Sequence, residues 1–215
     1  MDRRELLKMI AALTGGVVIG GEVFLSGCNT NDQKSPLGDL GVFSKDDIAF
    51  LDEVAETILP KTSTPGAKDA AVGQLMTVIV NDCYEPANQK VFREGIQQLD
   101  EASKKMYSEG FMKLTPEKRH DLLVSLDKET KEHQNKKAEF DKIQNEKEKA
   151  ETGKGNADFK KETMAPHYFT MMKQLTLLGF FTSKPGATQA LRYVAVPGRY
   201  NGDILYKKGD RAWAT

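Results

Sequence analysis

Between Val72 and Cys83 the apolar residues Val72, Leu75, Met76, Ile79, Val80 and Cys83 recur at spacings of three and four. That is the period of one face of an α-helix; a strand, with its period of two, would scatter these side chains over both of its faces. A helix of this length is marginal alone in water and is held mainly by laying its apolar face on another element. What the remaining chain offers as that second element decides the fold class. Cys83 closes the stripe and is expected to be a small buried hydrophobe, with no cation or histidine beside it in sequence to lower its pKa.

The chain offers more helices. Ser44 stands three residues ahead of Asp47 in the manner of a capping box, and Asp46 and Asp47 place negative charge at the positive end of a helix dipole. Ile48, Leu51, Ala55, Ile58 and Leu59 then form one stripe, so a helix is predicted over 45–59, ending where Pro60 disfavours helical backbone in the residue before it. After the turn chemistry of 61–66 comes the Val72 helix. Phe92, Ile96, Leu99, Ala102 and Met106 predict a third over 88–107. Leu114-Thr115-Pro116-Glu117 supplies a Thr cap, a Pro at the first helical position and an acid in the first turn of a fourth, which turns Leu122, Leu123 and Leu126 inward. A last helix is expected over 164–181, carrying Phe169, Met172, Leu175 and Leu178 and ending at Gly179.

The expected architecture is therefore mainly α: a single helical bundle domain, 44–215, with a long irregular aromatic-rich C-terminal tail. In that tail Pro185-Gly186, Pro197-Gly198, Gly202 and Gly209 break any periodicity, while Phe180, Phe181, Tyr193, Tyr200, Tyr206 and Trp213 supply large rings. Rings of that size must be covered, either by their own bundle or by a partner. One stretch stands apart. From Asp127 to Glu162 Lys and Glu dominate, with Phe140, Ile143 and Phe159 as the sizeable apolar anchors. We read it as a solvated insertion in preference to a docking arm, with its break at Thr152-Gly153-Lys154-Gly155-Asn156. Lys128 with Glu132, Lys142 with Glu146 and Lys147 with Glu151 are spaced to support an exposed helix.

The first residues concern address. Arg3-Arg4 followed by Leu6-Leu7-Lys8 reads as a twin-arginine export signal, and the apolar run from Met9 to Leu25 ends in the lipobox Leu25-Ser26-Gly27-Cys28. A basic start, a short apolar middle and small residues at the cut mark a cleaved signal, whereas a membrane-spanning helix needs about 20 apolar residues. The expectation is a signal over 1–27, lipidation of Cys28, a flexible tether over 28–43, and a periplasmic domain anchored to a membrane. Cleavage removes as many acids (Asp2, Glu5, Glu22) as bases (Arg3, Arg4, Lys8), so the formal net charge stays at +0 and no field draws the protein to nucleic acid. Roughly 190 residues remain, the size of one domain. With Cys28 consumed by lipid, Cys83 has no intrachain partner and a disulfide framework is excluded.

Catalytic motifs are missing. Gly15, Gly16, Gly20 and Gly21 lie inside the export signal, so no Gly-rich dinucleotide turn follows a strand, and there is no covalent-haem, zinc, EF-hand or Gly-x-Ser-x-Gly pattern. His120, His133 and His167 are scattered; His167, nearest to dense apolar sequence, is read as a structural or capping residue. No catalytic, cofactor-binding or metal-ligating residue is assigned.

Phe43-Ser44 through Ile58-Leu59-Pro60, then Thr64-Pro65-Gly66-Ala67 and the helix after it, resemble the start of the gluconate 2-dehydrogenase subunit 3 family. Leu177-Leu178-Gly179-Phe180-Phe181-Thr182-Ser183, Ala187-Thr188-Gln189 and Tyr193-Val194-Ala195-Val196-Pro197-Gly198-Arg199-Tyr200-Asn201-Gly202 are similar to its end. The charged stretch over 127–162 is longer than in typical members, and the lipobox differs from members with a plain cleavable signal. The resemblance implies the small subunit of a membrane-associated FAD-dependent sugar or sugar-acid dehydrogenase. It further implies a large flavoprotein partner of the glucose-methanol-choline oxidoreductase type that carries the FAD and the catalytic residues, and a cytochrome c subunit with haem c that takes the electrons. A signal for folded export on a chain without a cofactor then makes sense, since the loaded flavoprotein travels with it. Arg3 and Arg4 are the expected export residues, Cys28 the lipidation site, and Phe180, Phe181, Tyr200 and Trp213 the expected partner interface. The alternative is a free-standing lipid-anchored periplasmic lipoprotein, structural or carbohydrate-binding, and a third reading is an independent enzyme.

Overall fold

The computed structural model describes residues 43–154, 159–196, 198–199, 202–205 and 207–214, all within one compact unit, Gly41–Thr215. The expected signal, Cys28 and all of the tether but Phe43 lie outside the described residues.

Five α-helices follow in order among the described residues: α1 Lys45–Ile58, α2 Val72–Cys83, α3 Pro86–Tyr107, α4 Pro116–Gly153 and α5 Tyr168–Thr182. Short 3-10 turns at Lys68–Ala70 and Phe111–Lys113 join them, and a single π-helical turn, Gly186–Ala190, follows α5. No strand is present among the described residues, so the mainly helical expectation holds.

The helix starts follow from the local chemistry. Ser44 Oγ accepts from the Asp47 amide at 3.1 Å while the Ser44 amide donates to Asp47 Oδ2 at 2.8 Å, a closed capping box. Thr115 caps α4 through the Lys118 amide, with Pro116 in the first turn. The helix before Pro60 ends at Ile58, with Leu59 as its C-cap. The tether gives way to the domain one residue before its expected limit. Phe43 is buried, edge-on to Phe92 at 6.2 Å, with the Arg93 guanidinium 3.9 Å above its ring.

Helix α5 is the centre of the bundle, in contact with α1, α2, α3 and α4. That position explains a composition apolar nearly all round: Tyr168, Phe169, Met171, Met172, Leu175 and Thr176 are all buried, and no single polar stripe is left. Two glycines let the neighbours in. A Cβ at Gly95 of α3 would stand 2.3 Å from Tyr168 Cβ, and one at Gly179 would meet Leu75 Cδ2 at 2.9 Å. Gly179 is thus a crossing point inside α5, with the helix running on to Thr182, and does not end it as expected.

Two other expectations are corrected. Cys83 is exposed, because it is the last residue of α2 and the stripe outruns the neighbours that would cover it. Met106 is exposed for the same reason, one residue from the end of α3. The fourth helix, for which the sequence reading sets no end, continues unbroken to Gly153, so the charged stretch begins as an exposed extension of α4 that stops within the expected break. Its ion pairs include Lys131–Asp127 and Lys137–Asp141, while Lys161 in the returning segment reaches Asn145 and Glu148. Gln144 is buried there and donates to Glu162 at 3.2 Å. Ile143 is exposed, and Phe140 and Phe159 are half-buried.

Candidate functional site: the tail surface and the clefts

The segment after α5 is built to close on itself. Ser183 ends the helix by donating from Oγ to the Phe180 carbonyl at 2.6 Å and accepting from the Gly186 amide at 3.1 Å. The chain then runs through the π-helical turn to Arg192, which forms an isolated parallel bridge with Trp213. The Arg192 amide donates to the Ala212 carbonyl and the Ala214 amide to the Arg192 carbonyl, both at 2.8 Å. The Arg192 guanidinium lies 4.4 Å over the Trp213 ring, and Arg211 Nη1 donates to the Gln189 carbonyl at 2.5 Å. Residues 192 and 213 are thus pinned together.

Between them, several apolar side chains are exposed. Val196 is 82% and Leu205 83% exposed, with Tyr193, Val194 and Ile204 about half so. Of the four expected interface residues, Trp213 is 45% exposed and Phe181 41% exposed. Phe180 is only 4% exposed, in the bundle core with its ring 5.1 Å from Phe181, so its side chain is not available to a partner. Tyr200 lies outside the described residues, as do Arg3, Arg4 and Cys28. The sequence gives no sign that Leu205, Ile204 and Val78 are exposed, and Leu178, expected among the apolar residues of the last helix, is half exposed as well. Nothing in residue type separates such positions from core; only the packing does.

A cleft of about 570 Å³ opens between α1 and α4 and is lined by Glu53, Glu56, Thr57, Pro116, Arg119 and His120 among others. Two of its carboxylates, Glu53 and Glu56, are engaged. Glu53 pairs with Arg119 at 2.5 Å and with Lys68, and Glu56 accepts from the Lys61 amide at 2.8 Å and the Lys68 amide at 2.9 Å. These contacts fasten the 61–70 loop to α1. Lys173 pairs with Asp127 beside a second cleft of about 270 Å³ that also includes Leu123 and Phe169. The Lys173 hydrogen bond lowers the Asp127 pKa, with Lys131 adding to it and burial opposing it. Among the described residues no group of three or more His, Cys, Asp or Glu is placed to hold a metal ion.

His167 has the capping role expected of it. It is the N-cap of α5, its Nδ1 accepting from the Phe169 amide at 3.2 Å. Its Nε2 lies 3.7 Å from Glu129 Oε1, and His133 stands edge-on at 5.6 Å between ring centres.

Fold and surface together define a helical module, a compact bundle that leaves apolar side chains uncovered on its tail. Residues 45–198 match the family described as gluconate 2-dehydrogenase subunit 3, and the chain belongs to that family. The match takes in all five helices and the first part of the tail. No curated protein and no solved structure matches the chain.

Proposed function

We propose that this protein is the non-catalytic small subunit that stabilises a glucose-methanol-choline-type FAD-dependent dehydrogenase acting on sugars or sugar acids and carries it through the twin-arginine route. Electrons leave the complex through a cytochrome c. In this reading Arg3 and Arg4 direct export, Cys28 takes the lipid that holds the complex at the periplasmic face of a membrane, and the tail meets the flavoprotein. FAD and haem c belong to the partners.

The observation that carries the reading is the tail. In a family named for being one subunit of a dehydrogenase, a segment pinned at Arg192 and Trp213 turns Tyr193, Val194, Val196 and Leu205 to solvent. These exposed apolar side chains are what we read as the interaction surface. Phe181 and Trp213 keep their proposed contact role, whereas Phe180 supports it from below as core.

The test is a mild-detergent pull-down of the lipidated chain from its native membranes, with the flavin absorbance of the eluate recorded. A stoichiometric flavoprotein is expected, and it should disappear from the periplasm when Arg3 and Arg4 are both replaced by Lys. A colourless, solitary protein that binds sugar directly would overturn the subunit reading in favour of a free-standing lipoprotein. Within the complex, Phe181→Ser with Trp213→Ser should release the flavoprotein while the bundle stays folded.

A further inference from the structure

His167 stands where the outer half of α4 meets the start of α5, and two groups make opposite demands on its Nδ1. The Phe169 amide donates to that nitrogen at 3.2 Å, which requires a free lone pair. Thr130 Oγ1 lies 3.3 Å from the same nitrogen. The Thr130 hydroxyl proton, however, is already given to the Leu126 carbonyl at 2.7 Å, so toward the ring Thr130 is an acceptor. A bare Nδ1 therefore serves Phe169 and fails Thr130, and a protonated Nδ1 does the reverse. In the neutral ring, Glu129 Oε1 near Nε2 favours the proton there, which leaves Nδ1 free to cap α5.

The charged groups facing this ring are few. Among the described residues they are Glu129 and His133, both from α4. The buried Nδ1 of His133 has no hydrogen-bond partner. From α5 the neighbour is Tyr168, stacked at 4.5 Å, whose phenol burial first and the Glu129 charge second push up to about 12, so it stays neutral. Helix α3 presents Gly95 beneath Tyr168.

We propose that His167 is a proton-operated toggle between two helices: neutral, it caps α5 through the Phe169 amide, and protonated, it releases that amide and donates to Thr130 of α4. Three features oppose the protonated state and set the toggle below the usual histidine range. Burial is the first, and the charge of a protonated His133 is another, with Glu129 pulling the other way; the net direction is a lowered pKa. The third is the positive end of the α5 dipole, on which an imidazolium is unfavourable. Because the folded-state pKa lies below the unfolded value of about 6.5, the cap's contribution is complete above that pH. It is lost as pH falls from there through the folded pKa, since over that range the unfolded chain binds more protons. Acid thus loosens the joint at the root of the extended part of α4 while leaving the bundle core intact.

The test uses the full chain and follows two signals by NMR from about pH 8 to about pH 5, the window in which histidine titrates. One is the His167 ring nitrogen shift and the other is the hydrogen-exchange protection of the Phe169 amide, corrected for intrinsic exchange. Protection is expected to fall roughly fivefold, the size of a lost N-cap, with the same midpoint as the ring. His167→Asn, which caps without titrating, should keep the protection and abolish the step. Thr130→Val, which removes the acceptor of the protonated state, should move the ring midpoint to lower pH, and His133→Gln should move it to higher pH. Protection that does not change with pH in the wild type, a step that survives in His167→Asn, or midpoints unmoved in both other variants would each overturn the proposal.

Discussion

Helix α5 and the outer half of α4 are both helical, yet they are held for opposite reasons. Helix α5 is apolar almost all round and is fixed by four neighbouring helices, with Gly95 and Gly179 shaved to let two of them approach. Beyond Asp127, α4 has few apolar contacts. It is sustained by its own backbone hydrogen bonds, by ion pairs such as Lys137–Asp141, and by the returning segment through Lys161 and Glu162. The first helix exists because of tertiary structure, and the second largely in spite of having little. Stability should therefore concentrate in one and be nearly absent from the other.

The sharpest test of that contrast is a deletion of core. Phe169→Ala removes a ring that is almost fully buried at the centre of the bundle and should cost about 3–5 kcal/mol in urea unfolding. Gly95→Ala comes next. The new methyl carbon would sit 2.3 Å from Tyr168 Cβ, so α3 and α5 must move apart, at a cost of about 1–3 kcal/mol read from the shift in urea midpoint.

At the junction of the two regions the prediction is one of pH. Lys173 holds the Asp127 carboxyl below its ordinary pKa, so this pair contributes stability above the unfolded aspartate value of about 3.9 and loses it as pH falls below that value through the folded pKa. Urea midpoints measured at about pH 5 and about pH 3 should fall less in Asp127→Asn than in the wild type; equal falls would remove the pair from the account.

The smallest effects belong to the extension. Lys137→Ala should change stability by about 0.3 kcal/mol, a difference that vanishes at high salt. Removal of residues 132–156 should leave the thermal transition of the bundle nearly where it was, and loss of soluble folded protein on that deletion would break the comparison outright.

Much of the bundle was legible because its signals are local. The Ser44–Asp47 box, the Thr115-Pro116 start and the Pro60 stop each act within a few residues, and each appears where the sequence placed it. Leu122, Leu123 and Leu126 point inward as their spacing required. Gly179 was misread because glycine ends helices and also admits close neighbours, and only the approach of Leu75 distinguishes the two. The extension was read as a separate piece because its apolar period lapses after Leu126. Loss of an apolar face, however, does not end a helix whose hydrogen bonds and propensities continue.

The candidate interface divides in the same way. Phe180 and Phe181 are chemically identical neighbours, and a step of one residue turns the side chain by about 100° around the axis, so one ring enters the core and the other reaches solvent. Arg192 and Trp213 carry no signal of their pairing, since it joins residues far apart in sequence.

By itself the sequence determined that this chain makes helices, where most of them begin, and the family to which it belongs, because capping groups, prolines and apolar periods act over a turn or two of chain. Only the tertiary structure decided which faces stay covered: that Cys83 and Met106 lie past the reach of their neighbours, that Phe180 is core, that the tail shows its apolar side chains to solvent, and that His167 meets Thr130. Burial depends on what comes to lie opposite a residue, and that is settled by segments distant in the chain.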